Sequence, residues 1–348
     1  MPHLVRPLRV GVVGLGRIGR RHAEQLAFRT RGCQVVAASS EGPGDAEWAR
    51  AELGVGQGPG FGRWHGDYPA LLADPAVDAV VLATPSTLHA EQTLAALQAG
   101  KHVFVEKPLS LALAECERVE AVAAEHPAQV TMVGFVRRFD PSYQHAHQAL
   151  VRGEIGRPFI VRSQTCDQND PAGFFVKFAP NSGGIFADCS VHDIDLARWM
   201  LGNPRALRAY ATGTIALHPG LAACGDVDNG LAVIDFEGGA KAVLYASRTF
   251  AHGHETSTEI IGTEGKLLVG AGAARDRVVS SDAQGVRHQA VADFWERFGE
   301  AFAREMQVFV DACRGVAPLP LAVSDATEAT RIALALGRSL KSGGVEAV

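Results

Sequence analysis

The sequence predicts an α/β fold class: an N-terminal, doubly wound parallel sheet followed by an α+β domain with a large, mostly antiparallel sheet. In the first part of the chain, short apolar runs alternate with helical patterns, which is typical of parallel sheets with right-handed crossovers. After about Asp140, strand-like runs follow one another across glycine-containing turns, which favours antiparallel pairing. The chain has 348 residues, enough for two domains of about 100–200 residues each. We place them at residues 1–128 and 129–348.

The predicted elements follow from the spacing of apolar residues. In the N-terminal part the strands are 8–13, 35–38, 79–83, 102–105 and 130–133, and the helices are 17–28, 46–53, 89–99 and 111–125. In the C-terminal part the strands are 159–163, 207–214, 230–236, 241–248, 258–261 and 266–269, and the helices are 184–201, 296–313 and 324–340. The glycine-rich stretch 54–62 is predicted to be a surface loop, because no apolar strand leads into it.

Composition and charge narrow the class of protein. The formal net charge is −5 and 47% of the residues are hydrophobic, so no strong positive field attracts nucleic acid or acidic lipid. No apolar run reaches the ~20 residues needed to cross a bilayer, and the first residues lack a signal-peptide core. We therefore expect a cytoplasmic protein with no membrane partner. The six cysteines are scattered without a C-x-x-C pair, which favours reduced thiols over disulfides or a zinc site.

A glycine-rich turn directly follows the first strand. Gly14-Leu15-Gly16-Arg17-Ile18-Gly19 fits the pattern G-x-G-x-x-G between a strand and a helix. In that position Gly14 permits the tight turn, Gly16 lets the backbone approach a pyrophosphate, and Gly19 lets the helix pack on the strand. Because a helix N-terminus attracts phosphate groups, the motif predicts a Rossmann domain that binds NAD or NADP. The alternative is a structural glycine turn without a ligand.

The end of the second strand leaves the choice between NAD and NADP open. An acidic residue usually holds the adenosine ribose there in NAD enzymes, and Ser40 stands in its place. A small hydroxyl tolerates a 2′-phosphate. Glu41, one residue further on, can still reach the ribose and would repel that phosphate, and no Arg follows at once to bind it.

Two further segments carry residues suited to chemistry. Glu106-Lys107-Pro108 follows an apolar strand, and the carboxyl end of such a strand is where open α/β sheets bind ligands; the alternative is a solvated Lys beside a turn proline. Asp188, His192 and Asp195 stand at i, i+4 and i+7, so they form one polar stripe on a predicted helix. That stripe indicates an active site, a structural His–Asp network, or a metal pair, although no third metal ligand follows at a recognised spacing. We expect no resident metal.

Nearly the whole chain resembles the glucose–fructose oxidoreductase, inositol dehydrogenase and rhizopine catabolism (Gfo/Idh/MocA) family. The matching segments are Gly14 to Gly19, Ala83-Thr84-Pro85-Ser86 with His89, Ala99 to Val103, Glu106-Lys107-Pro108, Gly134-Phe135 with Arg137 to Pro141, and Gly183 to Trp199. They occur in the family's order, and the E-K-P and D-x-x-x-H-D-x-D segments are specific when they occur together. The resemblance implies a nicotinamide-dependent oxidoreductase whose second domain binds substrate and mediates dimers or tetramers.

Within that family the chain is most similar to the inositol 2-dehydrogenase-like branch. The similarity lies in Asn169-Asp170-Pro171, Phe175-Val176-Lys177 and Ser247-Arg248. The chain departs from the branch in having Asn169 where an Arg often stands, His252 and His254 where tyrosines stand, and two extra residues before Ser182. These changes lie near the expected substrate pocket, so they bear on which substrate is bound more than on the type of reaction.

The resemblance also implies roles for single residues. Lys107 is similar to the catalytic Lys, Asp188 to its acidic partner and His192 to the catalytic His, and the Lys107–Pro108 peptide is expected to be cis. The implied cofactor-binding residues are Gly14, Gly16, Arg17, Ile18, Gly19, Ser40, Glu41, Thr84, Pro85, His89, Glu106 and Lys107. The implied substrate-binding residues are Lys107, Asn169, Asp170, Asp188, His192 and His254, with Asp195, Lys177 and His252 as further candidates. Asp170 is equally suited to a turn before Pro171.

The predicted reaction is the reversible oxidation of a secondary hydroxyl of a cyclitol or sugar to a ketone. His192 would accept the hydroxyl proton, since an imidazole titrates near neutral pH. Lys107 would stabilise the alkoxide and Asp188 would orient the imidazole or a neighbouring hydroxyl. The alternatives are an aldose or dihydrodiol dehydrogenase, a glycosidase that retains its cofactor, and a non-catalytic protein that senses dinucleotides or sugars; this last one predicts loss of the Lys or the His.

Overall fold

The computed structural model describes residues 6–58, 62–270, 272 and 274–348, so the predicted loop at 54–62 lies partly outside the described residues. The chain divides into two compact units. Unit 1 comprises the residues up to Val136 and the segment Phe302–Thr327, and unit 2 comprises Arg137–Ala301 and Glu328–Val348. The domain boundary between residues 128 and 129 stays a prediction. Among the described residues, no helix combines the length and the apolar character that crossing a membrane requires.

Unit 1 is built on a six-stranded parallel sheet. Its elements are β1 (Leu8–Val13), α1 (Arg17–Phe28), β2 (Cys33–Ser39), α2 (Asp45–Leu53), β3 (Arg63–Trp64), α3 (Tyr68–Leu72), β4 (Ala79–Leu82), α4 (His89–Gln98), β5 (His102–Glu106), α5 (Leu113–Glu125) and β6 (Thr131–Gly134). The strand order is β3-β2-β1-β4-β5-β6, and every pair is parallel. The order reverses between β1 and β4, which is where open α/β sheets bind ligands.

The central strands of this sheet are buried on both faces because helices cover them. Every residue of β4 is fully buried, which explains its continuous apolar sequence. Helix α1 buries Gly19, His22, Ala23 and Leu26, a spacing of i, i+3, i+4 and i+7 that forms one face of a helix. The predicted parallel sheet is therefore confirmed, with the short β3 and α3 as additions.

Unit 2 contains a seven-stranded sheet and several helices. Its elements are α6 (Pro141–Val151), β7 (Pro158–Gln168), α7 (Phe174–Phe178), α8 (Ile185–Asp188), α9 (Val191–Met200), β8 (Ala206–Thr214), β9 (Asn229–Phe236), β10 (Lys241–Phe250), β11 (Glu255–Gly262), β12 (Lys266–Val269), β13 (Ala274–Asp282), β14 (Gly285–Ala290), α10 (Phe294–Cys313), α11 (Val323–Ser342) and β15 (Glu346–Ala347). Residues of α10 and α11 belong to both units.

The large sheet has the order β12-β11-β7-β10-β9-β8-β15, and β13 pairs with β14 in a separate hairpin. Its pairs are antiparallel except β7 with β10, which run parallel. The predicted mostly antiparallel sheet is therefore confirmed. One face of its central strands is buried and the other carries exposed apolar side chains, including Tyr210, Val233 and Val243.

The single helix predicted at 184–201 is wrong, because the structure divides it into α8 and α9. The backbone N–H groups of Cys189 and Ser190 both bond the carbonyl of Ile185, at 2.9 and 3.2 Å. The bond from Ser190 spans five residues instead of four, so one residue is inserted into the helical ladder. The polar stripe of Asp188, His192 and Asp195 therefore does not lie on one regular helix.

Candidate active site

The glycine turn after β1 has the geometry that its sequence predicts. Gly14 adopts φ +83°, a conformation that favours glycine, and its N–H donates to the Ser39 carbonyl at 2.8 Å. A Cβ at Gly19 would lie 1.7 Å from the Gly14 carbonyl oxygen and 3.3 Å from the Ala83 Cβ. Only glycine allows α1 to start this close to the strand ends.

The start of α1 can receive an anionic group. Gly16 is its N-cap, no side chain among the described residues caps it, and a Cβ at Gly16 would have open space within 4 Å. The first N–H groups of an uncapped helix favour a negative charge. Arg17 is exposed and Ile18 is half-buried at this end. The diphosphate of a nicotinamide dinucleotide fits this turn, which would hold it through backbone N–H groups.

A carboxylate that the sequence reasoning missed lies beside Ser40. The Ser40 hydroxyl accepts from the Leu15 N–H at 2.9 Å and donates to the carboxylate of Asp45, in the first turn of α2. Asp45 is buried, and its other oxygen is paired with Arg20 at 2.8 Å. Glu41 is exposed. Besides Glu41, which follows β2 in the chain, the structure therefore places a second carboxylate at the end of β2, that of Asp45 from α2.

Thr84, Pro85 and His89 follow β4. The Thr84 hydroxyl donates to Gln92 Oε1 at 2.5 Å, and Pro85 is exposed. His89 is fully buried, and its two ring nitrogens lie 2.8 Å from the carbonyl oxygens of Pro108 and Thr84. Burial lowers the pKa of His89 despite these hydrogen bonds. His89 thus joins the turns that follow β4 and β5, and a contact of His89 with a cofactor stays a prediction.

Lys107 lies directly after β5, in the turn where a ligand is expected. The Lys107–Pro108 peptide is cis, which confirms the prediction. Lys107 is half-buried, and its backbone N–H donates to Glu106 Oε2 at 3.1 Å. The Glu106 carboxylate is also bonded to His22 Nε2, at 2.6 Å. Glu106 therefore supports the turn that carries Lys107.

In unit 2, Asp188 ends α8 and is held by a buried arginine. Arg248 is fully buried on β10, and its two terminal nitrogens reach Asp188 at 3.2 Å and Asp226 at 3.0 Å. The same Asp226 accepts the N–H of Ile185 at 2.9 Å and so positions the start of α8. The Asp188 side chain retains 21% exposure. Asp188 is thereby fixed in place and still accessible.

The other two carboxylates of the motif have structural partners. Asp193 accepts hydrogen bonds from Arg137 at 2.9 Å and from Ser163 and Thr165, both at 2.6 Å. Asp195 binds Arg138 through two hydrogen bonds, of 2.8 and 2.6 Å, and both side chains are 2% exposed. The two arginines of the segment 137–141 therefore pair with the two aspartates that follow His192. This pairing argues against the interpretation of Asp195 as a ligand for substrate hydroxyls.

His192 lies in the first turn of α9 and is half-buried. The structure thus leaves Asp188 and His192 as the accessible members of the D-x-x-x-H-D-x-D segment. Lys107 belongs to unit 1 and these two residues belong to unit 2.

Asn169 and Asp170 follow β7. Asn169 Oδ1 lies 2.9 Å from His218 Nε2, so its amide is held within the unit. Both carboxylate oxygens of Asp170 accept backbone N–H groups, from Ala172 at 2.9 Å and Phe174 at 3.0 Å. Asp170 therefore stabilises the turn before α7, as the alternative interpretation expected.

His254 is buried and bonded to a carboxylate that the sequence reasoning did not select. Its Nδ1 lies 2.9 Å from Asp167 Oδ1, and the rings of Phe294 and Phe298 contact it edge-on. Burial alone would raise the pKa of Asp167, but the hydrogen bond and the charges of His254 and two arginines lower it. His252 is exposed and lies 3.2 Å from Glu255, and Lys177 is exposed at the end of α7.

Four polar residues that contact candidate site residues or their partners within their own unit were missed: Asp45, Asp167, Asp226 and Arg248. Arg248 gave a signal, since the resemblance included it, but nothing in the sequence showed which carboxylates it pairs with. Asp45, Asp167 and Asp226 are single acidic residues without a motif, and only their tertiary contacts distinguish them.

Comparisons with known proteins extend over both units. A family model described as an oxidoreductase family with an NAD-binding Rossmann fold matches residues 8–135, and the Gfo/Idh/MocA C-terminal domain model matches residues 143–268. The scyllo-inositol 2-dehydrogenase (NAD(+)) of Bacillus subtilis is 37% identical, over 99% of this chain and 96% of that protein. The myo-inositol 2-dehydrogenase of Thermotoga maritima is 31% identical, over 96% of each.

A solved structure is similar over nearly the full length. The scyllo-inositol dehydrogenase of Lactobacillus casei with bound NAD(H) and scyllo-inositol has a TM-score of 0.92 at 34% identity, and the match covers 98% of this chain and 99% of that one. From these matches, the chain belongs to the Gfo/Idh/MocA family of oxidoreductases and is an NAD(P)-dependent dehydrogenase.

Proposed function

We propose that this chain oxidises a secondary ring hydroxyl of a cyclitol, or of a related sugar, to a ketone, and that the reaction is reversible. The substrate class is supported by the relatives that match it end to end, which are named as inositol dehydrogenases. The reaction is that of a nicotinamide enzyme, in which the bound cofactor accepts the hydride from the carbon that bears the hydroxyl.

The catalytic assignment rests on a difference in exposure among the polar residues of the D-x-x-x-H-D-x-D segment. All three aspartates pair with buried arginines, but Asp193 and Asp195 are themselves buried, whereas Asp188 keeps 21% exposure and His192 is half-buried. Asp188 and His192 are therefore the groups of this segment that a substrate can reach. His192 serves as the general base that removes the hydroxyl proton. Asp188, fixed by Arg248, orients the imidazole or a neighbouring hydroxyl.

We propose a separate role in the reaction for Lys107, which belongs to unit 1. Its ammonium group donates a hydrogen bond to the substrate oxygen and stabilises the negative charge that develops there when the proton leaves. The support for this role is local: Lys107 follows the carboxyl end of β5, and the Glu106 carboxylate holds its backbone. A charge-stabilising group gains from being positioned before the reaction.

The hydrogen bonds that hold Asn169, Asp170 and His254 within unit 2 favour a role for these residues in substrate selectivity and not in catalysis itself. His254 stands where the inositol branch has a tyrosine, and its ring is bonded to Asp167. We infer that Asp167 and His254 together shape the substrate pocket. An aldose or dihydrodiol substrate in place of a cyclitol would change this part of the proposal and leave the reaction type intact.

We infer a preference for NAD over NADP. Near the end of β2, Asp45 and Glu41 supply two carboxylates, and the guanidinium of Arg20 is already paired with Asp45 at 2.8 Å. A 2′-phosphate would add negative charge beside both carboxylates. The charge balance therefore favours the unphosphorylated ribose.

We also infer that the chain forms a homo-oligomer, a dimer or a tetramer, through the open face of the large sheet. Tyr210, Val233 and Val243 stand in one row across β8, β9 and β10 and are 39%, 38% and 40% exposed. A contiguous exposed apolar surface is typical of an interface. The cytoplasmic location stays a prediction.

The interface is tested by Val233→Glu, which places a charge in the centre of that row. The mass in solution, measured by light scattering after gel filtration, should fall to that of a smaller species. Val151→Glu is the matched control, because Val151 is 76% exposed on α6 and outside the sheet. An unchanged mass of the Val233→Glu variant, or an equal loss in both variants, would contradict the assignment of this surface.

The function is tested with a panel of polyols: myo-inositol, scyllo-inositol, glucose and xylose, each with NAD and with NADP. We expect steady reduction of NAD with at least one inositol. Lys107→Ala and His192→Ala should each lower kcat by a factor of about 100 or more, with the affinity for NAD retained. The surface variant Lys266→Ala should match the wild type, because that lysine is 63% exposed. No turnover of any polyol would contradict the enzyme assignment, and release of sugar from an aryl glycoside would favour the glycosidase.

A further inference from the structure

Beneath the Lys107 turn, unit 1 encloses a cluster of three ionisable side chains from different elements. They are His22 on α1, Glu106 at the end of β5 and Glu305 on α10. A ring nitrogen of His22 and one carboxylate oxygen from each glutamate all lie within 4.8 Å of one another. His22 and Glu305 are both 0% exposed. The proposed reaction assigns no role to Glu305.

The two glutamates of this cluster are not equivalent. The Glu106 carboxylate is bonded to His22 Nε2 at 2.6 Å and to the Lys107 N–H at 3.1 Å. Its Oε2 also lies close to Gly134, where an added Cβ would be 3.3 Å away. Both oxygens of Glu305 are buried without a hydrogen-bond partner among the described residues. The Glu106 carboxylate therefore has hydrogen-bond partners, and the Glu305 carboxyl group has none among the described residues.

Among the described residues, the charge that acts on Glu305 is that of Glu106, which is negative. The other titratable group close to Glu305 is His22 from α1, which already binds Glu106. The rings of Phe104 and Phe302 flank the His22 imidazole at centroid distances of 5.1 and 5.8 Å. An unpaired carboxylate in such apolar surroundings is strongly disfavoured. Burial and the neighbouring Glu106 charge both raise the pKa of Glu305.

A bound divalent metal ion is the other way to stabilise the Glu305 carboxylate close to that of Glu106. The contact between His22 Nε2 and Glu106 Oε1 argues against it, because 2.6 Å is the length of a direct hydrogen bond. Two ligands of a tetrahedral zinc ion, each about 2.0–2.1 Å from the metal, stand more than 3 Å apart. The contact therefore favours a proton over a metal ion.

We propose that Glu305 is kept as the neutral acid and hydrogen-bonds the Glu106–His22 pair through one water, so that the Glu106 carboxylate stays fixed under the backbone of Lys107. Glu305 is then a positioning residue. It leaves a single negative charge in the cluster, and that charge binds the Lys107 N–H. The positioning role rests on the proposed function of Lys107, whereas the protonation of Glu305 does not.

The protonation is tested by Glu305→Gln, which replaces the neutral acid by a neutral amide of the same shape. The infrared difference spectrum between the wild type and this variant, at pH 7, should contain the C=O band of one protonated carboxyl group. Unfolding should also release the Glu305 proton into solution. The unfolding equilibrium constant of the wild type, divided by that of Glu305→Gln, should then rise about tenfold per pH unit above roughly pH 5.

Glu52→Gln is the matched control, because Glu52 is exposed on α2, and its ratio to the wild type should not change over the same range of pH. Absence of the carboxyl band, or a constant ratio for Glu305→Gln, would overturn the proposal. A stoichiometric metal ion that chelation removes from the wild type and that Glu305→Gln fails to bind would overturn it in favour of a metal site.

The positioning role is tested by comparing Glu305→Gln with Glu305→Leu. The amide can donate to the bridging water and the leucine cannot, so kcat should stay within about threefold for Gln and fall about tenfold or more for Leu. The affinity for NAD should not change in either variant. Equal kcat values for the two variants would overturn the positioning role, and the protonation would still stand on the spectra and the unfolding data, which need no activity.

Discussion

Replacing Asp195 by Asn tests whether the carboxylates that follow His192 stabilise the fold. In the native unit, Asp195 and Arg138 are each 2% exposed and share two hydrogen bonds. The Asn variant removes a carboxylate charge from a guanidinium that is only 2% exposed. Breaking a buried pair in this way costs about 3–5 kcal/mol. Because one hydrogen bond to the Asn oxygen can remain, we expect a loss at the lower end of that range.

Asp188→Asn should have the opposite effect: a small loss of stability and a large loss of activity. Asp188 is 21% exposed, and Asp226 also pairs with its partner Arg248, at 3.0 Å. The guanidinium therefore keeps a counter-charge, and the loss of stability should stay near 1 kcal/mol. The turnover number should fall by a factor of about 100 or more, because Asp188 contacts the imidazole or the substrate in the proposed reaction.

The two variants are compared by urea unfolding and by steady-state kinetics at a temperature where both are folded. About 3 kcal/mol corresponds to a lowering of Tm by roughly 10 °C in a domain of this size. Folded Asp195→Asn should keep a KM for the polyol within about threefold of the wild type. An Asp195→Asn variant that is as stable as the wild type and raises this KM tenfold would show instead that Asp195 binds substrate.

Two further predictions concern unit 1. Gly19→Ala should destabilise the fold, because its Cβ would lie 1.7 Å from the Gly14 oxygen, while Gly16→Ala should fold normally, because its Cβ has open space, and should bind NAD more weakly; titration calorimetry and thermal melting distinguish these outcomes, and equal stability of the two variants would contradict the packing argument. Burial opposes the ionisation of Asp78, but hydrogen bonds from Arg9 and Arg6 outweigh it and hold the pKa of this carboxyl at about 2, below its ordinary 3.8. A depressed pKa stabilises the fold above the unfolded value and loses that contribution as the pH falls towards 2, so Asp78→Asn should cost about 2 kcal/mol at pH 6 and almost nothing near pH 2; a cost that is independent of pH would contradict the pairing.

Much of the fold could be predicted because its signals are local. The continuous apolar run of β4 and the i, i+3, i+4, i+7 spacing of α1 each specify one element, and alternation of strands with helices specifies the parallel sheet. The family, the fold class and the nicotinamide-dependent oxidoreductase are confirmed. The short β3 and α3 were missed, since two to five residues contain too little periodicity to be recognised.

The division of the helix at Cys189 and Ser190 could not be read from the sequence. No proline or glycine marks the break, and the inserted residue shows only in the bond from Ser190 to Ile185. That insertion matters for the site, because it separates Asp188 from the aspartates that follow His192. A spacing rule treats the three carboxylates alike, although their surroundings differ.

The partners of the site residues were also beyond the sequence. The arginines of the segment 137–141 and the aspartates of the D-x-x-x-H-D-x-D segment were both recognised as motifs, yet nothing local indicates that they pair. Arg248 and Asp226, which fix Asp188, come from β10 and the segment before β9. Such pairings depend on the arrangement of strands in the sheet. That arrangement is a property of the tertiary structure and has no local sequence pattern.

The transfer of deuterium from substrate to cofactor distinguishes hydride transfer by this protein from every alternative. An inositol labelled with deuterium at the carbon that bears the reacting hydroxyl is mixed with the wild-type protein and NAD, and the reduced cofactor is examined by mass spectrometry. We predict that the label moves to the cofactor in the wild type and that Lys107→Ala, with NAD still bound, transfers it at least about 100 times more slowly. An unlabelled reduced cofactor, or equal rates in the two proteins, would contradict the proposed hydride transfer and the role of Lys107 in it.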